Sequence, residues 1–247
     1  MNYIDFHVHI DYFKDYHRIF CSYEKQKIYA LFVTNLPEIY QKCINEFRQS
    51  KYIKIALGYN PQLTKKYKFN KELFLKYIHT TKYIGEVGLD FSSEYKDCID
   101  EQIKNFTIIC NYVSKFPKIM SIHSRKAENE VLKILDENNI EFAVFHWYSG
   151  SLNTINEILK RGYYFSVNYN MLKSKKGREI LKEIPLDRIL FETDGPFDNF
   201  QEKGNIIEKF SYIYNELGKF YRIDDMKSII YDNFKNLLMR YKTKVKA

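Results

Sequence analysis

Short apolar runs recur along the chain, each closed by polar or turn-forming residues, and between them lie longer stretches whose apolar residues return every three or four positions. The runs fall at residues 28–34, 53–58, 83–90, 118–124, 142–147, 162–168 and 188–194, after a first, alternating one that starts at about residue 2 and ends at His9. Runs of this length, rich in Ile, Val, Phe and Tyr, read as buried strands. Helical periodicity occupies 37–50, 70–80, 97–116, 126–138 and 152–161. Pro37 suits the first turn of its helix, where its missing N–H is not needed. Eight strands alternating with helices, at spacings of about 25 to 30 residues through most of the chain, predict an α/β protein, a (β/α)8 TIM barrel built from residues 1–247 as a single domain. The length agrees, because α/β barrels of this size form one unit.

A barrel of this kind gathers its active site at the C-terminal ends of its strands. In the first strand the period of two sends His7 and His9 to one face and Phe6 and Val8 to the other, so the two imidazoles can share a metal ion. Glu86 lies inside an otherwise apolar, glycine-flanked strand, where a buried carboxylate needs a cation. The fifth strand ends in His123, the sixth in His146 and the eighth in Asp194. Four of the six histidines and two carboxylates therefore converge on one rim. Asp11, two places beyond His9, is a candidate for the carboxylate that fixes the tautomer of a ligating histidine, although a turn is the commoner use of such a residue. Asn60 falls just past the third strand. His17 and His79 stand outside the pattern, the first as a surface residue and the second near a helix end.

Charge and composition add little. Lys and Arg total 39 against 31 Asp and Glu, a formal charge of +8, which favours acidic partners such as nucleic acid. The lysines are dispersed rather than massed, so this is weak support for a phosphate-bearing substrate. Cys21, Cys43, Cys98 and Cys110 are widely spaced, which indicates neither a zinc ribbon nor a disulfide framework. No apolar run reaches membrane-spanning length, and polar Asp5 and His7 interrupt the first strand where a secretory signal would be apolar. A soluble, cytoplasmic protein with no membrane partner is expected.

With these residues in place the chain resembles the TatD family of metal-dependent nucleases, within the wider metal-dependent hydrolase barrel group. The stretches that carry the resemblance are Asp5-Phe6-His7-Val8-His9-Ile10-Asp11, Gly85-Glu86-Val87-Gly88-Leu89-Asp90, Ile122-His123-Ser124-Arg125, His146-Trp147-Tyr148-Ser149-Gly150-Ser151, and Ile184-Pro185-Leu186-Asp187-Arg188 running into Glu192-Thr193-Asp194-Gly195-Pro196. Asn60-Pro61-Gln62, Ser121 to Arg125, Phe165-Ser166-Val167 and Thr193 to Phe197 are closest to the QatD-like branch, which is associated with Qat anti-phage systems.

The resemblance implies a two-metal site. His7, His9, Glu86 and Asp194 would hold one divalent ion, and Glu86, His123 and His146 the other, with Glu86 bridging. Mg²⁺, Mn²⁺ and Zn²⁺ all remain open. Two such ions, about 3.5 to 4 Å apart, activate water for in-line attack on a phosphodiester. Asp194 and Glu86 would be the catalytic carboxylates, with Asp194 the general base. Arg125 could pair with phosphate or simply be a solvated arginine; Trp147 and Tyr148 could stack on a base or pack in the core. The implied substrate is DNA, at single-stranded ends, and the implied partners are other Qat-type defence proteins.

Two departures matter. Many relatives have His-Pro where this chain has Asn60-Pro61, and an asparagine, though able to hydrogen-bond a phosphate, cannot deliver a proton near neutral pH. Residues 197–204 also lack the Arg-rich, Asn-Glu-Pro loop common in housekeeping relatives. Alternatives stay open: an aminoacyl-tRNA deacylase or other amide or ester hydrolase on the same barrel, and a weakly catalytic nucleic-acid-binding subunit of a defence assembly. The carboxylated lysine of many amidohydrolases has no counterpart, since Glu86 holds that position and Lys82 comes too early.

Overall fold

A computed structural model describes residues 1–48, 50–197 and 205–246. Eight parallel strands follow one another in space as in sequence: β1 Ile4–His9, β2 Tyr29–Val33, β3 Ile53–Ile55, β4 Tyr83–Gly88, β5 Ile119–His123, β6 Ala143–His146, β7 Tyr164–Val167 and β8 Ile189–Phe191. They pair as a three-stranded and a five-stranded sheet. A bridge between Leu57 and Ile84 joins the two, and bonds from Asp194 N to the His7 carbonyl (2.9 Å) and from His9 N to the Gly195 carbonyl (2.8 Å) tie β8 back to β1. The ring is thereby closed.

The helices are α1 Tyr16–Lys25, α2 Pro37–Glu46, α3 Lys71–Tyr77, α4 Ile99–Val113, α5 Glu128–Glu137, α6 Leu152–Lys160, α7 Tyr169–Lys173, α8 Lys175–Glu183, α9 Ile206–Tyr221 and α10 Met226–Lys246. Of these, α1 and α7 to α10 go beyond the sequence reading. The last two close the foot of the barrel. The Tyr214 hydroxyl of α9 bonds both N and O of Ile4, and the Asn233 amide of α10 donates to the Leu186 and Ile189 carbonyls.

Phe6, Leu31, Ala56, Tyr83, Ile119, Val144, Tyr164 and Leu190 belong to one buried cluster. Side chains from around the whole ring, Ala56 standing directly after β3, can meet only inside it, so this cluster is the barrel interior. The larger cluster, which includes Val8, Phe32, Val87, Phe145 and Phe210, packs strands against helices. Phe6 therefore points inward, against the expected alternation with His7. The cause is a slip of register: Asp5 pairs with Ala30 but Val8 with Phe32, so one extra residue of β1 is inserted just where His7 lies. A matching slip in β4 separates Ile84, paired with Met120, from Val87, paired with Ile122, and contains Glu86. Irregularities of this kind re-aim side chains.

β3 is shorter than its apolar run because after Ala56, whose N still donates to the Phe32 carbonyl of β2, the chain crosses to β4, with Leu57 N donating to the Tyr83 carbonyl. Gly58 sits in that crossing, and a Cβ there would fall 1.8 Å from the Thr34 carbonyl oxygen and 2.5 Å from that of Gly85. Both obstacles are backbone and cannot swing away. Gly58→Ala is expected to cost well over the roughly 1 kcal/mol of an average substitution, read as a lowered urea midpoint; an unchanged midpoint would show that the crossing opens without cost.

Candidate metal centre

Six side chains converge at the C-terminal rim, and two groups of three among them could each hold a metal ion: His7, His9 and Asp194, and Glu86, His123 and His146. Glu86 links the groups. Its Oε1 lies 2.6 Å from His123 Nδ1 and 2.8 Å from His146 Nε2, while its Oε2 lies 3.5 Å from His9 Nε2. A single carboxylate thus faces one set of imidazoles with each oxygen, the arrangement a bridging ligand requires. His7 and His146 stack across the middle, with ring centroids 4.0 Å apart.

The donor set fits cations better than it fits itself. His7 Nε2 and His9 Nε2 confront each other at 3.1 Å, where one N–H can donate to the lone pair of the other. Asp194 Oδ1, 3.4 Å from His9 Nε2 and 3.7 Å from His7 Nε2, is buried without a hydrogen bond among the described residues. A divalent ion among these three atoms would satisfy all of them. The mixture of imidazole and carboxylate suits Zn²⁺ or Mn²⁺, and Mg²⁺ with added water.

Electrostatics divide the imidazoles. Burial, with His146 and His9 nearby, holds His7 well below the ordinary imidazole range. For His146 burial acts the same way, but Glu86 and Glu192 overcome it and carry the pKa well above that range. His123 is likewise raised, with Glu86 and Asp90 outweighing burial. His9 is raised too, as Asp194, Glu86 and Asp11 outweigh its burial. In Glu86 burial favours the neutral acid, yet His123 and His146 hold the carboxyl well below its usual range. The cluster is therefore an ion-paired network rather than a neutral one.

Partners behind the cluster differ from expectation. Asp11 Oδ2 accepts from Asn35 at 2.7 Å, and neither Asp11 Oδ1 nor His9 Nδ1 has a hydrogen bond among the described residues, so Asp11 acts on His9 through charge rather than a bond. Asp90 fills the role foreseen for Asp11, at another histidine: its Oδ2 lies 2.9 Å from His123 Nε2 and also accepts from Gln62. Ser121 Oγ stands 2.7 Å from His7 Nδ1. Glu192 is fully buried 3.7 Å from His146 Nδ1 and accepts from Trp147 N, Asn168 Nδ2 and Ser166 Oγ. The signal that singled out Glu86, a carboxylate in an apolar strand, applied equally to Glu192.

The remaining candidates separate clearly. Arg125 and Trp147 line the cleft above the cluster, a cavity of about 530 Å³. Tyr148 is not a rim residue; it is 1% exposed, and its hydroxyl bonds the Ser151 carbonyl. It is core, turned inward because Trp147 takes a left-handed backbone conformation at φ 36°. Asn60 lines the cleft, but both hydrogens of its amide are engaged, one by Asn35 Oδ1 and one by Glu86 Oε2, while its oxygen caps the Pro61–Leu63 turn. It orients Glu86 and shapes the turn at once. The reading of residues 197–204 lies outside the described residues beyond Phe197. His17 is largely exposed near Glu46, and His79 meets the Phe116 ring.

A (β/α)8 barrel whose rim carries such a His, Asp and Glu cluster defines a protein of the metal-dependent hydrolase class. The family described as TatD related DNase matches residues 4–239, and the chain belongs to that family. Among curated relatives it is similar to the uncharacterized metal-dependent hydrolase YabD of Bacillus subtilis, 32% identical over 62% of this chain and 64% of that protein. It is similar also to the human deoxyribonuclease TATDN3, 28% identical over 46% of this chain and 42% of that one. The alignments thus span less than two thirds of either relative. In structure it resembles YJJV, a TatD homologue of Escherichia coli, with a TM-score of 0.77 at 20% identity, covering 95% of this chain and 97% of that one. The QatD-like branch has no support in these comparisons.

Because Glu86, Asp90 and Glu192 hold His123 and His146 protonated above the ordinary imidazole pKa, an incoming ion must displace protons. Affinity for Zn²⁺ or Mn²⁺ should rise as pH rises through these raised pKa values, with proton release visible when calorimetric heats are compared in buffers of different ionisation enthalpy. Glu86→Gln removes the counter-charge; the imidazoles should then titrate lower, and ion binding should release fewer protons and weaken. Equal proton release by both proteins would contradict the network.

Proposed function

We propose that the protein is a metal-dependent deoxyribonuclease that hydrolyses DNA phosphodiester bonds, working at single-stranded ends. The observation that carries this reading is the placement of Glu86 between two imidazole groups at the floor of a cleft wide enough for a nucleotide. In this reading His7, His9, Glu86 and Asp194 hold one divalent ion and Glu86, His123 and His146 the other. Bound there, the ions would supply Lewis-acid activation of water and of the scissile phosphate.

The chain's own groups do the rest. Asp194, buried beside the cluster, takes the proton of the attacking water. Arg125 meets the phosphate from the exposed side of the cleft as a charge-assisted donor, and Trp147 borders the same space. Asn60 keeps Glu86 aimed and has no proton to give the departing sugar oxygen, so protonation of that oxygen falls to water. We expect a slow enzyme for that reason, lacking a contribution of about 10² to 10⁴-fold that a general acid supplies.

The finer assignment is to the QatD-like branch, acting in the cytoplasm in anti-phage defence beside other Qat-type proteins; it rests on Asn60-Pro61-Gln62, Ser121-Ile122-His123-Ser124-Arg125, Phe165-Ser166-Val167 and Thr193-Asp194-Gly195-Pro196-Phe197. Neighbouring genes of Qat type, and loss of phage resistance when Asp194 is replaced in the complete gene set, would support it. An isolated gene would remove it and leave the nuclease reading intact.

With Mn²⁺ or Mg²⁺ the protein should release nucleotides from end-labelled single-stranded DNA, and EDTA should stop it. Asp194→Asn should lower the rate at least about 10²-fold while keeping the circular-dichroism spectrum. Binding should weaken as salt rises, since phosphate contacts release counterions. A metal-loaded protein that spared DNA but hydrolysed aminoacyl-tRNA would replace this reading with the deacylase.

A further inference from the structure

Two large rings stand open at the mouth of the cleft although they lean on a buried histidine. Tyr12 is 43% and Phe197 49% exposed. Each ring centroid lies 5.4 Å from that of His9, and the two lie 5.3 Å apart with their planes at 74°. They form a corner: a flat group laid on the face of one ring is walled by the other. Both line the same cleft as Arg125 and Trp147. Two adjacent exposed rings at the mouth of a cleft offer an apolar surface that a flat ligand group can cover.

We infer that Tyr12 and Phe197 form a stacking corner for the base of the nucleotide whose phosphate lies over His9, and that this corner makes the site select an unpaired terminal nucleotide. The inference rests on the nuclease reading and adds what that reading lacks, a reason for the preference for single-stranded ends. A base inside a duplex is stacked on both faces and paired along its edge, so it can offer no face to a ring without leaving the helix. An unpaired end offers one at little cost. Every base has a π-face, so the selection is for strandedness and not for sequence.

The corner could instead serve only as an apolar cover for His9, and the test separates these roles in metal-free protein, in EDTA. Two oligothymidylates are used, one with 2-aminopurine at the 5′ end and one with it at the 3′ end, because stacking on an aromatic ring quenches that base. The wild type should quench one of the two ends, and should leave the same base unquenched when it is buried within a duplex. Tyr12→Leu and Phe197→Leu keep the apolar cover but remove a ring; each should lose most of the quenching and bind the oligonucleotide about ten-fold more weakly. Phe197→Trp should restore both. An oligonucleotide with an abasic terminal residue should bind the wild type and the leucine variants alike, which also shows that the variants are folded. Quenching that survives in both leucine variants, or an abasic end that binds the wild type as tightly as a base-bearing one, overturns the corner. Failure of the nuclease reading shows elsewhere, as a Mn²⁺-loaded wild type that quenches the probe yet leaves it uncut.

Discussion

Everything at the rim is arranged around one buried negative charge. Glu86 is 2% exposed, and an isolated carboxylate at such a position would give up its charge rather than bear the loss of hydration. It stays ionised because imidazoles from β5 and β6 lie against one oxygen while His9 of β1 and the Asn60 amide lie near the other. Removing one partner from such a set leaves an uncompensated buried charge, which costs far more than the net gain of forming the pair. The carboxylate therefore fixes where three strands end relative to one another. Asp90 and Glu192, behind His123 and His146, extend the same network outward.

The departures from ideal barrel geometry coincide with the chemistry. Register slips in β1 and β4 surround His7 and Glu86, the crossing at Gly58 leads directly to Asn60, and the bonds that close the ring involve Asp194 and His7. Asp194 itself adopts φ 51°, a conformation that aspartate tolerates better than most residues. A perfectly alternating ring could not send Phe6 and His7 both toward the axis; the inserted residue allows one to fill the interior while the other reaches the rim.

How legible this was in the sequence depended on range. Strand existence, strand order and five of the six converging residues followed from apolar runs that end in His or Asp, because burial on both faces leaves a continuous apolar signature, and Glu86 followed from its charge inside such a run. Tyr148 and Asp11 could not be read that way. Side-chain direction at both depends on backbone dihedrals and distant partners, Trp147 at positive φ in one case and Asn35 in the other, and neither leaves a periodic trace. Helices α9 and α10 were not read, although α9 carries the local signal, with Phe210, Ile213, Tyr214 and Leu217 at helical spacing behind an Asn205–Glu208 capping box; what the sequence could not show is that they reach back to Ile4 and β8. Tyr12, which no strand or helix pattern singles out, becomes informative once its ring is seen against His9.

Closure of the ring by its last strand also orders events during synthesis. Glu86, His123 and His146 sit on consecutive strands of one sheet and span 60 residues, so a growing chain can bring them together while its C-terminal part is still unmade. His7 and His9 emerge first of all, yet they wait for Asp194, and the bonds from Thr193 to Asp5 that secure that end bridge 188 positions. The half that contains the proposed base therefore cannot be completed until β8 has been made. A chain cut short before β8 would carry one half alone, without the residue on which hydrolysis turns.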